Sequence, residues 1–263
     1  MVRGRRAAPA PAVRRPWWAG PAESLALLTA VRVPAAASAR GVLPWAPLTG
    51  LLLGLAAAGT AWLAARYATP QVGAVLGVAV LAALTRGLHL DGLADTADGL
   101  GPLRGRERAL AVMRQGDVGP FGVVTLVLVL LLQVACLAAL LDRDGGWPAL
   151  VTAVVTARLA MARTGLAGVP VAEGSSLGRA VAGTVSRGWL AGALLLCLAA
   201  AAGAGAVTTS PWAATAVAVG LVCSELLYRR AVGRLGGVNG DVMGAMGEVA
   251  ATAALLTAVV LTG

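Results

Sequence analysis

The chain has 263 residues, 58% of them hydrophobic and only 13% charged, with a mean hydropathy of +0.81. A soluble domain carries about a quarter charged residues, so this chain cannot cover a water-facing globular surface and the soluble classes are excluded. Its net charge of +9 comes from arginine alone, set in short segments between apolar runs; that distribution fits membrane topology and argues against nucleic acid as a partner.

Several runs approach or exceed the roughly 20 apolar residues that cross a bilayer as a helix. Helices satisfy their own backbone groups in lipid, and the ten-residue alternation of a membrane barrel is absent. The expected fold is all-α: a polytopic helical bundle of about six to seven spans, plus a short interfacial helix near the N-terminus. Residues 1–20 read as a basic cytoplasmic tail with Arg3, Arg5, Arg6, Arg14 and Arg15, and residues 21–263 as one membrane-embedded catalytic domain. The apolar stretch Leu25 to Val31 has the outline of a signal peptide. However, Glu23 and Arg32 close it on both sides, so a helix lying at the interface is expected.

Seven candidate spans follow, over residues 42–65, 72–88, 121–141, 148–162, 189–207, 212–228 and 249–261. With the N-terminus in the cytoplasm, the inside segments hold the N-terminal arginines, the Arg86 to Arg114 group, Arg179 with Arg187, and Arg229, Arg230 and Arg234. The outside loops hold only Arg66 and Arg143. This asymmetry obeys the positive-inside rule and places every long polar loop on the cytoplasmic face of the cell membrane. Cys136, Cys197 and Cys223 lie apart inside apolar runs and read as small buried hydrophobes.

Directly after the second run comes His89-Leu90-Asp91-Gly92-Leu93-Ala94-Asp95-Thr96-Ala97-Asp98-Gly99, with three of the chain's twelve acids. On a helix, Asp91, Asp95 and Asp98 share one face. Carboxylates so placed repel unless a cation or protons compensate. As hard oxygen ligands they suit Mg²⁺ or Mn²⁺, and acids this close to lipid are costly without a purpose. Metal ions bridged by carboxylates neutralise phosphoryl oxygens in phosphoryl transfer. Downstream, Arg106, Arg108 and Arg114 offer bidentate phosphate contacts, and the glycines of 116–122 let backbone approach an anion.

His89, the only histidine, is a candidate general base or ligand. A second polar island, 236–248, carries Asn239, Asp241 and Glu248; it either completes the site or caps the last helix through Asn239 or Asp241. Glu173 with residues 174–178 is a weaker candidate on the same face. Arg158, inside a span, is expected to face the interior toward an acid or a phosphate.

These stretches resemble the adenosylcobinamide-GDP ribazoletransferase (cobalamin synthase) family. The resemblance rests on His89 to Gly99, on Arg106 to Gly122 ending Val118-Gly119-Pro120-Phe121-Gly122, on the early Leu27-Leu28-Thr29-Ala30-Val31-Arg32-Val33-Pro34, and on Gly240-Asp241-Val242-Met243-Gly244-Ala245. The family usually has Asp-Ser after the Met-Arg/Lys pair; here Gln115-Gly116 stand there with Asp117 next, so Asp117 is expected only as a substrate contact. The resemblance implies the last assembly step of cobalamin synthesis. In it a hydroxyl of α-ribazole, or of α-ribazole 5′-phosphate, attacks the cobinamide-side phosphorus of adenosylcobinamide-GDP and GMP leaves, with Mg²⁺ as cofactor.

In this reading Asp91, Asp95, Asp98 and Asp241 hold Mg²⁺. Arg106, Arg108, Arg114, Asn239 and Asp117 bind substrate, and His89, Asp95 or Asp98 acts on the attacking hydroxyl. A CDP-alcohol phosphatidyltransferase would show Ala-Arg after the acidic pair and two later acids four apart, which this chain lacks. A cation-coupled transporter would repeat its acids in a second half, and the acidic segment has no copy. Partners are the two small-molecule substrates and the lipid bilayer; oligomeric state, a homo-oligomer included, is open.

Overall fold

The computed structural model describes residues 16–33, 38–102, 105–143, 146–208 and 212–263, without the side chains of 203–208. The arginine-rich start of the expected N-terminal tail lies outside the described residues. Among the described residues the elements are α1 (Ala19–Leu28), α2 (Ala46–Tyr67), α3 (Pro70–Leu84), α4 (Leu88–Leu100), α5 (Arg106–Met113), α6 (Pro120–Asp142), α7 (Gly146–Ala162), α8 (Ser176–Val181), α9 (Arg187–Thr208), α10 (Trp212–Leu235) and α11 (Gly240–Thr262). No β-strand occurs among them, only two isolated bridges. The polytopic all-α expectation holds.

Every apolar run became a helix, but their lengths differ from the expected spans. Among the described residues four helices are long and apolar enough to cross a membrane (α2, α6, α10, α11), or five if α3 and α4, bent by 89°, form one broken span. At 15 residues α3 is short. The 17-residue α7 is packed on most sides, with 12 residues buried, because it sits among α2, α10 and α11. The last run begins nine residues earlier than its apolar core, since the polar segment 240–248 is helical.

One correction concerns the start of the described chain. α1 begins at Ala19 and ends before the expected stretch does. It is also tucked against the bundle: Glu23 and Ser24 are buried, Ser24 and Thr49 share a hydrogen bond of 2.8 Å, and Glu23 Oε2 accepts from the Gly41 amide at 2.7 Å. These polar contacts fix its inner side against the bundle, while Trp17 and Trp18 at its start are exposed.

The 89° turn has a local cause. The Arg86 amide donates to the Ala83 carbonyl and the Gly87 amide to that of Ala82, the paired bonds of a Schellman ending. Arg86 (φ 55°) and Gly87 (φ 67°) are both left-handed. The chain therefore leaves α3 sharply, and α4 runs across the end of the bundle. Its first half meets the start of α11, where Gly92 lies against Asp241 and His89 against Gly244. Its end meets the start of α6, where Gly101 lies against Phe121.

Candidate functional site

The first half of the acid-bearing helix is held by backbone contacts that need glycine. An added Cβ on Gly92 would stand 2.7 Å from the Asp241 carbonyl oxygen and 2.9 Å from its Cα. An added Cβ on Gly244 would lie 3.1 Å from the His89 Cα. Close packing of small residues is how helices meet in lipid, and here it carries Asp241 to the acids of α4. Asn239 fixes the start of α11: its Oδ1 accepts from the Val242 amide at 2.9 Å, and its Nδ2 donates to Asp241 Oδ2 at 2.8 Å. The capping reading of Asn239 is correct, and the same residue orients Asp241.

Asp91 is exposed, Asp95 half-buried and Asp98 buried. Burial, then the negative charges of Asp241, Asp91 and Asp98, raise the Asp95 carboxyl to about 6. Like charges crowding a partly desolvated acid favour its protonated form. Asp95 is therefore the electrostatic centre of the cluster, with Asp241 the nearest contributor in effect.

Asp98 departs from the expected metal trio. Its Oδ2 accepts from the Gly119 amide at 2.7 Å and its Oδ1 from the Gly122 amide at 3.0 Å. These are orphan amides at the start of α6, so Asp98 caps that helix from α4. A Cβ on Gly119 or Gly122 would collide with the Asp98 carboxylate. The glycines of Val118-Gly119-Pro120-Phe121-Gly122 do let backbone approach an anion, and that anion is Asp98.

A cleft of about 360 Å³ opens beside Asp241. Arg114, His89, Asn239 and Asp241 line it, together with residues 173–177 and the apolar Leu28, Met161 and Met243. The bridge between Val171 and Val238 ties the 173–177 wall to the Asn239 turn. Arg114 Nη2 donates to the Glu173 carbonyl at 2.6 Å. The weaker candidate segment thus lines the cleft.

Arg106 is exposed, with its guanidinium against Gly236, three residues before Asn239. Arg108 and Asp117 are exposed, and neither lines the cleft. The structure therefore joins Arg114, His89, Asn239 and Asp241 directly, sets Asp91, Asp95 and Arg106 beside them, and leaves Arg108 and Asp117 on the surrounding surface.

A buried polar network was not foreseen as a unit. Gln133 Nε2 donates to Glu248 Oε2 and to Thr252 Oγ1, each at 2.9 Å. Arg158 is buried and faces the same small cavity of about 40 Å³, which Glu248 also lines. Among the described residues its side chain makes no ion pair; Nη1 donates to Met161 Sδ at 3.4 Å, so the expected acidic partner is a cavity neighbour and not a direct contact. His89 stands between this cavity and the cleft, lining both. Its Nε2 has no hydrogen-bond partner among the described residues. The signal for this network was present in the sequence as isolated polar residues inside apolar runs, but their partners lie about a hundred residues apart.

A profile of the cobalamin-5-phosphate synthase family matches residues 21–259. The adenosylcobinamide-GDP ribazoletransferase of Frankia casuarinae is 42% identical over 228 residues, covering 80% of this chain and 82% of that protein. The protein of the same name from a Nocardioides species is 42% identical over 224 residues, covering 83% and 86%. That from Bradyrhizobium diazoefficiens is 36% identical over 239 residues, covering 86% and 85%. No solved structure matches. The match takes in α1, the acid helix, the Asp98-capped start of α6 and the Asn239 turn, and the chain belongs to the cobalamin-5-phosphate synthase family.

Proposed function

We propose that this chain joins adenosylcobinamide-GDP and α-ribazole, or α-ribazole 5′-phosphate, giving adenosylcobalamin, or its 5′-phosphate, and GMP. The reaction takes place at the cytoplasmic face of the cell membrane and depends on Mg²⁺. Family membership makes the chain a transferase of cobalamin synthesis, and the named relatives supply the substrate pair. The observation that carries the chemistry is the crowding of Asp95 by Asp241, Asp91 and Asp98.

That donor set fits a hard divalent cation. Among the described residues no group of three acids or other ligands is placed to cage an ion by itself. Mg²⁺ suits such a site, since it keeps waters and uses one or two carboxylates plus substrate phosphates. Asp91, Asp95 and Asp241 would hold it, and Asp98 positions α4. When bound, the ion neutralises charge on the diphosphate and on the leaving GMP.

The chain's own residues do the rest. Arg114 at the cleft, with Arg106 and Arg108 around it, would hold the diphosphate by charge-assisted hydrogen bonds. The acceptor hydroxyl forms the new P–O bond to the cobinamide-side phosphorus. The P–O bond to GMP breaks, and the hydroxyl proton passes to a base. His89, which lines the cleft, is the candidate base.

The test is incubation of membranes carrying the chain with adenosylcobinamide-GDP, α-ribazole and Mg²⁺. GMP release that requires both substrates and stops with chelator supports the reading. Release that ignores α-ribazole or chelator overturns it.

A further inference from the structure

Away from the acids, α7, α9 and α10 leave a groove of about 390 Å³ between them, within the about 300–1,000 Å³ of ordinary small-molecule sites. Its lining is chiefly apolar, with Leu190 and Leu194 from α9 and Leu221 and Leu226 from α10. Leu226 is 61% exposed, so the groove opens at the surface of the bundle. Since α10 is long and apolar enough to cross a membrane, that surface meets lipid. One part of the lining is charged, with Arg163, Glu225 and Arg229. Arg163 Nε lies 3.2 Å from Glu225 Oε2, and Arg229 Nε donates to Glu225 Oε1 at 3.0 Å. The Arg163 guanidinium also lies over the Tyr228 ring, 4.2 Å from its centre. Two guanidiniums on one carboxylate leave a net positive charge. It sits toward the end of α10 that leads into the Asn239 turn.

We propose that this groove binds one anionic phospholipid. An acyl chain lies along the leucines, and the phosphodiester meets Arg163 and Arg229. The charges are complementary: the headgroup brings the single negative charge that one glutamate leaves unmatched. Guanidinium forks hold phosphate oxygens bidentately, and basic pockets between membrane helices take anionic headgroups. A zwitterionic headgroup brings its own cation beside the arginines and loses that advantage. The lipid fills the gap beside α9, which packs on α10 and α7, and holds that helix to the bundle. None of the residues assigned to ribazole transfer lines this groove, so the inference stands apart from that reading.

The test is mass spectrometry of the lipid retained by the full chain in detergent holding equal phosphatidylglycerol and phosphatidylcholine of matched acyl chains. The parent chain should retain phosphatidylglycerol in preference by about fivefold, the worth of one arginine near a membrane surface. The Arg229 side chain is 72% exposed, so Arg229→Gln leaves the core unchanged, and it should bring the ratio near parity. Arg230→Gln removes an exposed arginine that does not line the groove and should keep the parent ratio. Leu226→Trp fills the groove and should lower retention of both lipids severalfold. Equal retention of the two lipids by the parent chain overturns the proposal, and this needs no variant. So does an Arg230→Gln ratio as low as that of Arg229→Gln, which would mean attraction to the surface at large. Release of the lipid by glycerol phosphate without acyl chains, or a lipid-free dimer with a second copy in the groove, overturns it as well.

Discussion

Gly92 of α4 lies against Asp241 of α11 so closely that a Cβ would stand 2.7 Å from the Asp241 carbonyl oxygen. The obstacle is backbone, which cannot swing aside. Gly92→Val must therefore push α4 away from α11, and overpacking of this kind costs about 1–3 kcal/mol. The larger effect falls on the site, because a shift of about 1 Å at a reacting group can cost about 100-fold. Transferase activity of Gly92→Val should drop by about that factor, with thermal stability only modestly lowered. Full activity would show that the α4–α11 contact does not place the acids.

Asp98 and Asp95 are three residues apart, yet they should fail differently when neutralised. Asp98→Asn leaves an amide group where two backbone amides need acceptors. A buried donor left unsatisfied costs about 1–3 kcal/mol, so the variant should lose thermal stability. Its residual activity should keep the parent's half-saturating Mg²⁺. A raised Mg²⁺ requirement at unchanged stability would place Asp98 in the metal shell.

The pH dependence follows from Asp95. Its carboxyl is raised to about 6, by burial first and by its acidic neighbours second. Below that value it holds a proton, and Mg²⁺ must displace the proton to bind. The half-saturating Mg²⁺ should therefore climb as pH falls, by about fourfold at pH 5.5 relative to neutrality for one competing proton. It should be flat above about pH 7. A half-saturating concentration indifferent to pH across this range would contradict Asp95 as a ligand.

Local features were legible in the sequence wherever the physics is local. Apolar runs became helices, and Asp91, Asp95 and Asp98 came out on one helix. The cap of Asn239 on Val242 spans three residues and was readable. What distant residues decide was not. The partners of Asp98 are 21 and 24 residues away, and nothing within the helix marks its last acid as a cap for another. Gly92 and Gly244 are two of 35 glycines, so composition hides the pair that carries Asp241 to the acids. The number of spans, four or five among the described residues against the six to seven expected, differs for a related reason. Apolarity marks α3 and α7 as buried from water, but does not tell whether protein or lipid surrounds them, and α7 is mostly packed by other helices. The resemblance of the ordered motifs did reach the family, because those motifs sit at the contacts that build the site.

The most direct measurement is GMP release by purified, lipid-reconstituted parent chain and Asp95→Asn across a Mg²⁺ titration, with thermal unfolding of both as a control for assembly. The account predicts that Asp95→Asn unfolds at the parent's temperature or above, since crowding of negative charge is relieved. It also predicts that turnover falls by about 100-fold or more at any Mg²⁺ concentration. Parent-level turnover with the parent's Mg²⁺ dependence in Asp95→Asn would contradict it.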